Sequence, residues 1–258
     1  MIEPEIGVGR RSRQDPRHYR RGIYLLPSII TVGNMFCGYA CVVYASRGEL
    51  VSAAPFIGFA VVLDMLDGRI ARMTNTASAF GLEFDSLADV ISFGLAPAVL
   101  AFAWGLSELD RTGWAAGFVY VTAAATRLAR FNIQTPVQTD KRYFVGMPSP
   151  AAAGVIAATV YAWPVVEYPN TMAALVVVLV PAALMVSTIK FRSFKTINFG
   201  WTPSYIKLLL IAAMIALVAL QPRVTLVIVS YGYLLSAFIE MGMTRLRSHR
   251  DGHPPAAT

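Results

Sequence analysis

"DMLDGRIARMTNTASAFGLEFDSLADV" fills residues 64–90 and begins directly after an apolar run, "APFIGFAVVL" at 54–63. It places Asp64, Asp67, Asp85 and Asp89 beside chain that reads as membrane-embedded. A carboxylate at bilayer depth costs several kcal/mol unless it is paired, hydrated or bound to a cation. Four such groups within one short stretch therefore call for a chemical reason.

The solvent follows from composition. Of the 258 residues, 56% are hydrophobic and 14% charged, and the mean hydropathy is +0.55. A soluble domain of this size carries roughly 25% charged residues. The chain reads as an integral membrane protein. Residues 1–22 are polar and Arg-rich, without the apolar core of a signal peptide. Cys37 and Cys41, the only cysteines, lie four apart in an apolar stretch and read as small helix-packing residues.

About 20 apolar residues span a bilayer as a helix. Apolar runs near 27–46, 52–72, 87–106, 113–133, 149–166, 171–189, 205–221 and 224–243 predict about eight transmembrane helices. The expected fold is all-α, a polytopic membrane helix bundle. Its transmembrane domain covers 23–243, between a basic tail at 1–22 and a second tail at 244–258. With eight spans, 19 of the 22 Lys and Arg residues fall on one side, leaving Arg47, Arg111 and Arg223 on the other. By the positive-inside rule both termini are then cytoplasmic. The net charge of +7 becomes a basic rim facing anionic headgroups rather than a nucleic-acid surface.

Residues three and four apart share a helix face. Asp64, Asp67, Gly68 and Ala71 form one stripe, with Arg72 beside it, while Gly81, Asp85 and Asp89 form another. The polar "MTNTASAF" at 73–80 suits a turn and a helix start. The two stripes are expected to face each other on antiparallel helices near the cytoplasmic interface. Carboxylates so crowded repel and take up protons unless cations neutralise them. Hard divalent cations such as Mg²⁺ prefer oxygen ligands and leave positions open for phosphate oxygens. Two metals about 4 Å apart are the arrangement of many phosphoryl-transfer sites. Small residues beside the acids leave room for a bulky ligand, and they also serve close helix packing. Two other readings are an ion network with Arg69, Arg72, Arg127 and Arg130, and an ion transporter with intramembrane aspartates.

The pattern Asp67-Gly68-x₂-Ala71-Arg72-x₈-Gly81-x₃-Asp85-x₃-Asp89, preceded by Asp64, resembles the complete signature of the CDP-alcohol phosphotransferases. These are membrane enzymes that move a phosphatidyl or related group from a CDP-linked donor to an alcohol and release CMP. The resemblance implies a six-helix catalytic core, here with two further helices, a homodimer, and a site for two Mg²⁺ or Mn²⁺ ions. It assigns Asp64, Asp67, Asp85 and Asp89 as metal ligands and Asp89 also as the catalytic base. Gly68, Ala71, Arg72 and Gly81 would lie along the donor nucleotide.

Four further segments look like the phosphatidylserine synthase branch: "LLPSIITVGNMFCGY" (25–39), "TRLARFN" (126–132), "FVGMPSPAAA" (144–153) and "KFRSFK" (190–195). The implied substrates are CDP-diacylglycerol and L-serine, with glycerol 3-phosphate or inositol phosphate as the alternative acceptors. Arg127 and Arg130 share a helix face, and an arginine fork binds a carboxylate at two points. With Asn132 they are the candidate acceptor pocket. Lys190, Arg192 and Lys195 are second in line. Asn34, polar within the first span, faces either the nucleotide or a neighbouring helix.

Overall fold

A computed structural model describes residues 17–73, 78–134, 143–164, 171–192 and 204–250. Its first helix, α1 (Arg17–Ser46), turns directly into α2 (Leu50–Met73). The turn is built on Gly48, whose φ of 77° is the left-handed conformation that glycine adopts without a Cβ penalty. Gly48 N donates to Ala45 O at 2.9 Å and Glu49 N to Tyr44 O at 3.0 Å. That pair of bonds is a Schellman ending, and it satisfies the last carbonyls of α1. Small buried residues, among them Cys41, Ala45, Ala53, Ala54 and Ala60, line the α1–α2 core. They let two backbones approach closely where lipid offers no hydrophobic drive. Cys37 and Cys41 are free and buried, in line with the packing role expected of them.

The third rod starts at residue 79, earlier than its apolar run implied. Ser78 caps α3 (Ala79–Asp89), its Oγ accepting from Gly81 N at 3.0 Å. A π-helical turn (Val90–Leu95) follows, then α4 (Ala96–Trp104), all in one continuous rod. Pro97 explains part of this irregularity: it has no N–H to give to the Phe93 carbonyl four residues back. The buried Tyr120 hydroxyl donates to that carbonyl instead, at 3.2 Å.

A 3₁₀ turn (Leu106–Leu109) leads to α5 (Asp110–Gln134), which packs on α7 (Thr171–Val186). Between them in sequence runs α6 (Ser149–Ala162), with Ala152, Ala153, Val155, Ile156 and Val160 all buried. Its neighbours include α2, α4, α7 and α9 (Pro222–Arg250). Pro148 precedes α6 and Pro150 occupies its first turn, where a missing N–H leaves no helical bond broken. Polar contacts fasten α9 to α6: Thr159 Oγ1 and Tyr231 Oη lie 2.8 Å apart, and Ser230 Oγ donates to Gly154 O at 3.3 Å. The remaining helix, α8 (Ser204–Leu220), packs on α9.

With α3, the π-turn and α4 taken together, the described residues make eight helical rods. The segments Ser28–Ser46, Leu50–Ile70 and Ala79–Trp104 are each long and apolar enough to cross a membrane, while α6 and α7 are shorter apolar helices. The fold is an all-α membrane helix bundle. Among the described residues its one departure is a small ribbon in which β1 (Tyr143–Val145) pairs antiparallel with β2 (Lys190–Arg192), Phe144 opposite Phe191. Gly146 closes this ribbon at φ 82°. Its N–H donates to Ile189 O at 2.8 Å, and a Cβ there would strike the Met185 carbonyl.

Candidate active site

The aspartate stripes meet because α2 and α3 flank α1, whose Thr31 and Asn34 lie one turn apart on the face that backs them. Asp64 and Asp67 project from α2, Asp85 and Asp89 from α3. Each of Asp64, Asp67 and Asp85 offers one carboxylate oxygen to a cluster whose atoms lie within 4.8 Å of one another. Asp89, one turn further along α3, is buried and interacts electrostatically with Asp64. Thr31 Oγ1 donates to Asp67 Oδ2 at 3.1 Å, and Asn34 Nδ2 donates to Asp89 Oδ1 at 3.3 Å.

These bonds use one oxygen of each buried acid and leave others open. Asp67 Oδ1 and Asp85 Oδ1 are buried without a hydrogen-bond partner among the described residues. Buried carboxylate oxygens rarely stay unpartnered. A cluster of hard oxygen donors with open lone pairs fits a divalent cation of the Mg²⁺ or Mn²⁺ type. It fits a self-satisfied ion network poorly. Arg69 is exposed, and the hydrogen bond of Arg127 goes to Ser149 rather than to an acid, although Asp64 and Asp89 are among its charge partners.

Arg127 and Arg130, one turn apart on α5, part company. Arg127 Nη1 donates to the buried Ser149 Oγ at 3.1 Å, and its guanidinium lies over the Phe131 ring, 5.5 Å from the centroid. Asp89 and Asp64 are among its charge partners. Arg130 instead donates to Val186 O at 3.3 Å and Ser187 O at 3.4 Å, the carbonyls that end α7. Asn132 Nδ2 donates to Ser86 Oγ at 2.8 Å, on α3 beside Asp85. Gly68 is half-buried next to Asp67. The side chains of Ala71, Arg72, Lys190 and Arg192 lie outside the described residues, as does Lys195.

A family model for CDP-alcohol phosphatidyltransferase matches residues 24–189, from α1 to the edge of β2. The chain belongs to that family. Apolar helices and membership together make this CDP-alcohol phosphatidyltransferase an integral membrane protein. It is 37% identical over 221 residues to the CDP-diacylglycerol–serine O-phosphatidyltransferase of Helicobacter pylori, covering 84% of this chain and 91% of the relative. The Bacillus subtilis protein of that name is 34% identical over 171 residues, which are 66% of this chain and 91% of the relative. The Saccharomyces cerevisiae protein so named is 37% identical over 145 residues, about half of each chain.

Each of the four segments singled out beyond the signature carries a contact of this site or of the structure that supports it. "LLPSIITVGNMFCGY" supplies Thr31 and Asn34. "TRLARFN" reaches Ser149 in "FVGMPSPAAA" through Arg127, and "FVGMPSPAAA" pairs with "KFRSFK" in the β1–β2 ribbon. Sequence reading missed Thr31, Ser86, Ser92 and Tyr120. Thr31 carried a usable signal: it is polar, in an apolar span, one helical turn before Asn34.

Proposed function

We propose that this protein transfers the phosphatidyl group of CDP-diacylglycerol to the hydroxyl of L-serine, forming phosphatidylserine and CMP. The observation that carries the reading is the convergence of Asp64, Asp67 and Asp85 within 4.8 Å, with Asp89 one turn away. Similarity to serine phosphatidyltransferases over most of the chain supports serine as the acceptor.

In this reading Asp64, Asp67, Asp85 and Asp89 hold two divalent cations, Mg²⁺ or Mn²⁺. When bound, such ions neutralise pyrophosphate charge and favour in-line displacement. Asp89, fixed by the Asn34 amide, takes the proton of the serine hydroxyl. The freed oxygen attacks the phosphorus that bears diacylglycerol, the pyrophosphate bond breaks, and CMP leaves with the electron pair. Arg127, bonded to Ser149 and with Asp64 and Asp89 among its charge partners, would bind the serine carboxylate, with Asn132, bonded to Ser86 beside Asp85, as a second acceptor residue. Gly68, Ala71, Arg72 and Gly81 line the nucleotide. The donor's acyl chains stay in lipid between the helices. The active site and both termini face the cytoplasm, where the basic residues concentrate, and the protein works as a homodimer.

CMP release by protein purified in detergent tests this directly. Release from CDP-diacylglycerol should require both serine and Mg²⁺ or Mn²⁺, and should stop on chelation. Ion flux in vesicles with no CMP release would make the aspartates a transport pathway instead.

A further inference from the structure

Asn34 is fully buried, yet half of its amide is unused. Its Nδ2 donates to Asp89 Oδ1 at 3.3 Å. Its Oδ1 is buried and has no hydrogen-bond partner among the described residues. Against an ionised Asp89 the amide keeps this orientation, because an amide oxygen set against a carboxylate would be repelled. The open oxygen, carried on the same amide carbon as Nδ2, therefore lies immediately beside the contact with the proposed base.

The surroundings hold Asn34 in this pose. Ser92 Oγ, on the π-turn, donates to the Asn34 backbone carbonyl at 2.9 Å. One helical turn on, a Cβ added to Gly38 would stand 2.8 Å from Ser92 Cα. The two backbones thus touch one turn from the place where Asn34 meets Asp89. Tyr120 anchors the same turn through the Phe93 carbonyl. π-turns within α-helices recur at functional sites, and this one begins at the residue that follows Asp89.

We infer that Asn34 is a bifunctional acceptor-site residue. Its N–H aims the Asp89 carboxylate, and its free Oδ1 accepts a hydrogen bond from the hydroxyl or ammonium of the incoming amino alcohol. The inference rests on the transfer reading above. A buried polar group awaiting a substrate donor also provides selectivity, since an acceptor lacking that donor leaves the oxygen unpaired.

The discriminating pair is Asn34→Ala and Asn34→Ser, similar in size but differing by a hydroxyl that can both donate and accept. Asn34→Ala should lower kcat with serine about 10- to 100-fold, within the range of general-base catalysis. Serine KM should rise and CDP-diacylglycerol KM should stay within about twofold. Asn34→Ser should recover about tenfold of the loss in serine kcat/KM. Because Asp89 is also a proposed metal ligand, Mn²⁺ affinity, titrated by electron paramagnetic resonance on the same preparations, should weaken in Asn34→Ala by up to the 10- to 100-fold cost of losing support to a metal ligand, and the rise in serine KM should persist at saturating Mn²⁺. Equal kinetics in Ala and Ser, with both unfolding earlier, would reduce Asn34 to a packing residue and overturn the inference. So would a change confined to the donor KM. If Asn34→Ala does not fold, Asn34→Asp keeps the size and the oxygen but loses the donor. Unimpaired turnover in Asn34→Asp would contradict the inference equally. Absence of serine-dependent CMP release from the unaltered protein would instead remove the transfer reading itself.

Discussion

Thr31 Oγ1 donates a hydrogen bond to Asp67 Oδ2 at 3.1 Å, bridging 36 positions of chain between α1 and α2. Both residues are buried, so the bond fixes which oxygen of Asp67 faces the helix and which faces the carboxylate cluster. Groups that orient metal ligands in this way typically affect metal affinity or activity 10- to 100-fold. Thr31→Val, close in shape but without the hydroxyl, is expected to weaken Mn²⁺ binding by about that factor. An unchanged Mn²⁺ titration would mark Thr31 as packing alone.

Asp67→Asn and Asp85→Asn each remove a charged oxygen ligand while preserving size. Both variants are expected to lose turnover, even at saturating Mg²⁺ or Mn²⁺, and to remain monodisperse and helical in detergent. Removing one of several crowded carboxylates relieves repulsion, so thermal stability without metal should not fall. Near-normal activity in either would refute a shared metal site.

Arg127 and Arg130 look equivalent in sequence, but their hydrogen bonds give them different work. Arg127→Lys keeps the charge and loses the planar fork. One charge-assisted contact is worth about 1.5–3 kcal/mol. The expected loss is about 10- to 150-fold in serine kcat/KM, seen mainly as a raised serine KM. Arg130 caps the end of α7, so Arg130→Lys should lower the unfolding temperature in detergent and leave serine KM nearly unchanged. A reversed pattern in steady-state kinetics would exchange the two roles.

By helical spacing, Gly68 and Ala71 belong to the same sequence stripe as Asp64 and Asp67. If the nucleotide lies along that stripe, Gly68→Leu and Ala71→Leu should impair CDP-diacylglycerol use far more than folding. Unchanged donor KM and kcat in both would assign the small residues to helix packing.

Much of this architecture is legible in the chain itself. Apolar runs placed the helices to within a few residues at most ends, because lipid leaves a backbone few alternatives to the helix. The acidic stripes were legible for a related reason: charge in an apolar setting stands out. The π-turn was not. "VISFGLAP" (90–97) is apolar but for Ser92, and Pro97 alone hints that a carbonyl needs another donor. Arg130 was harder to read. Its partners include backbone carbonyls at the end of α7, and no side-chain pattern records those. Thr31 is a single hydroxyl whose meaning depends on which helix packs against it.

One measurement bears most directly on the central claim: competition among acceptors for labelled CDP-diacylglycerol. Protein purified in detergent, with Mg²⁺ or Mn²⁺, is offered equal concentrations of L-serine, glycerol 3-phosphate, inositol and inositol phosphate. Labelled lipid should appear almost entirely as phosphatidylserine, mole for mole with CMP, and none should form with Asp89→Asn. A dominant phosphatidylglycerol phosphate or phosphatidylinositol phosphate product would contradict the assignment of serine. Phosphatidylserine made at full rate by Asp89→Asn would contradict the proposed base.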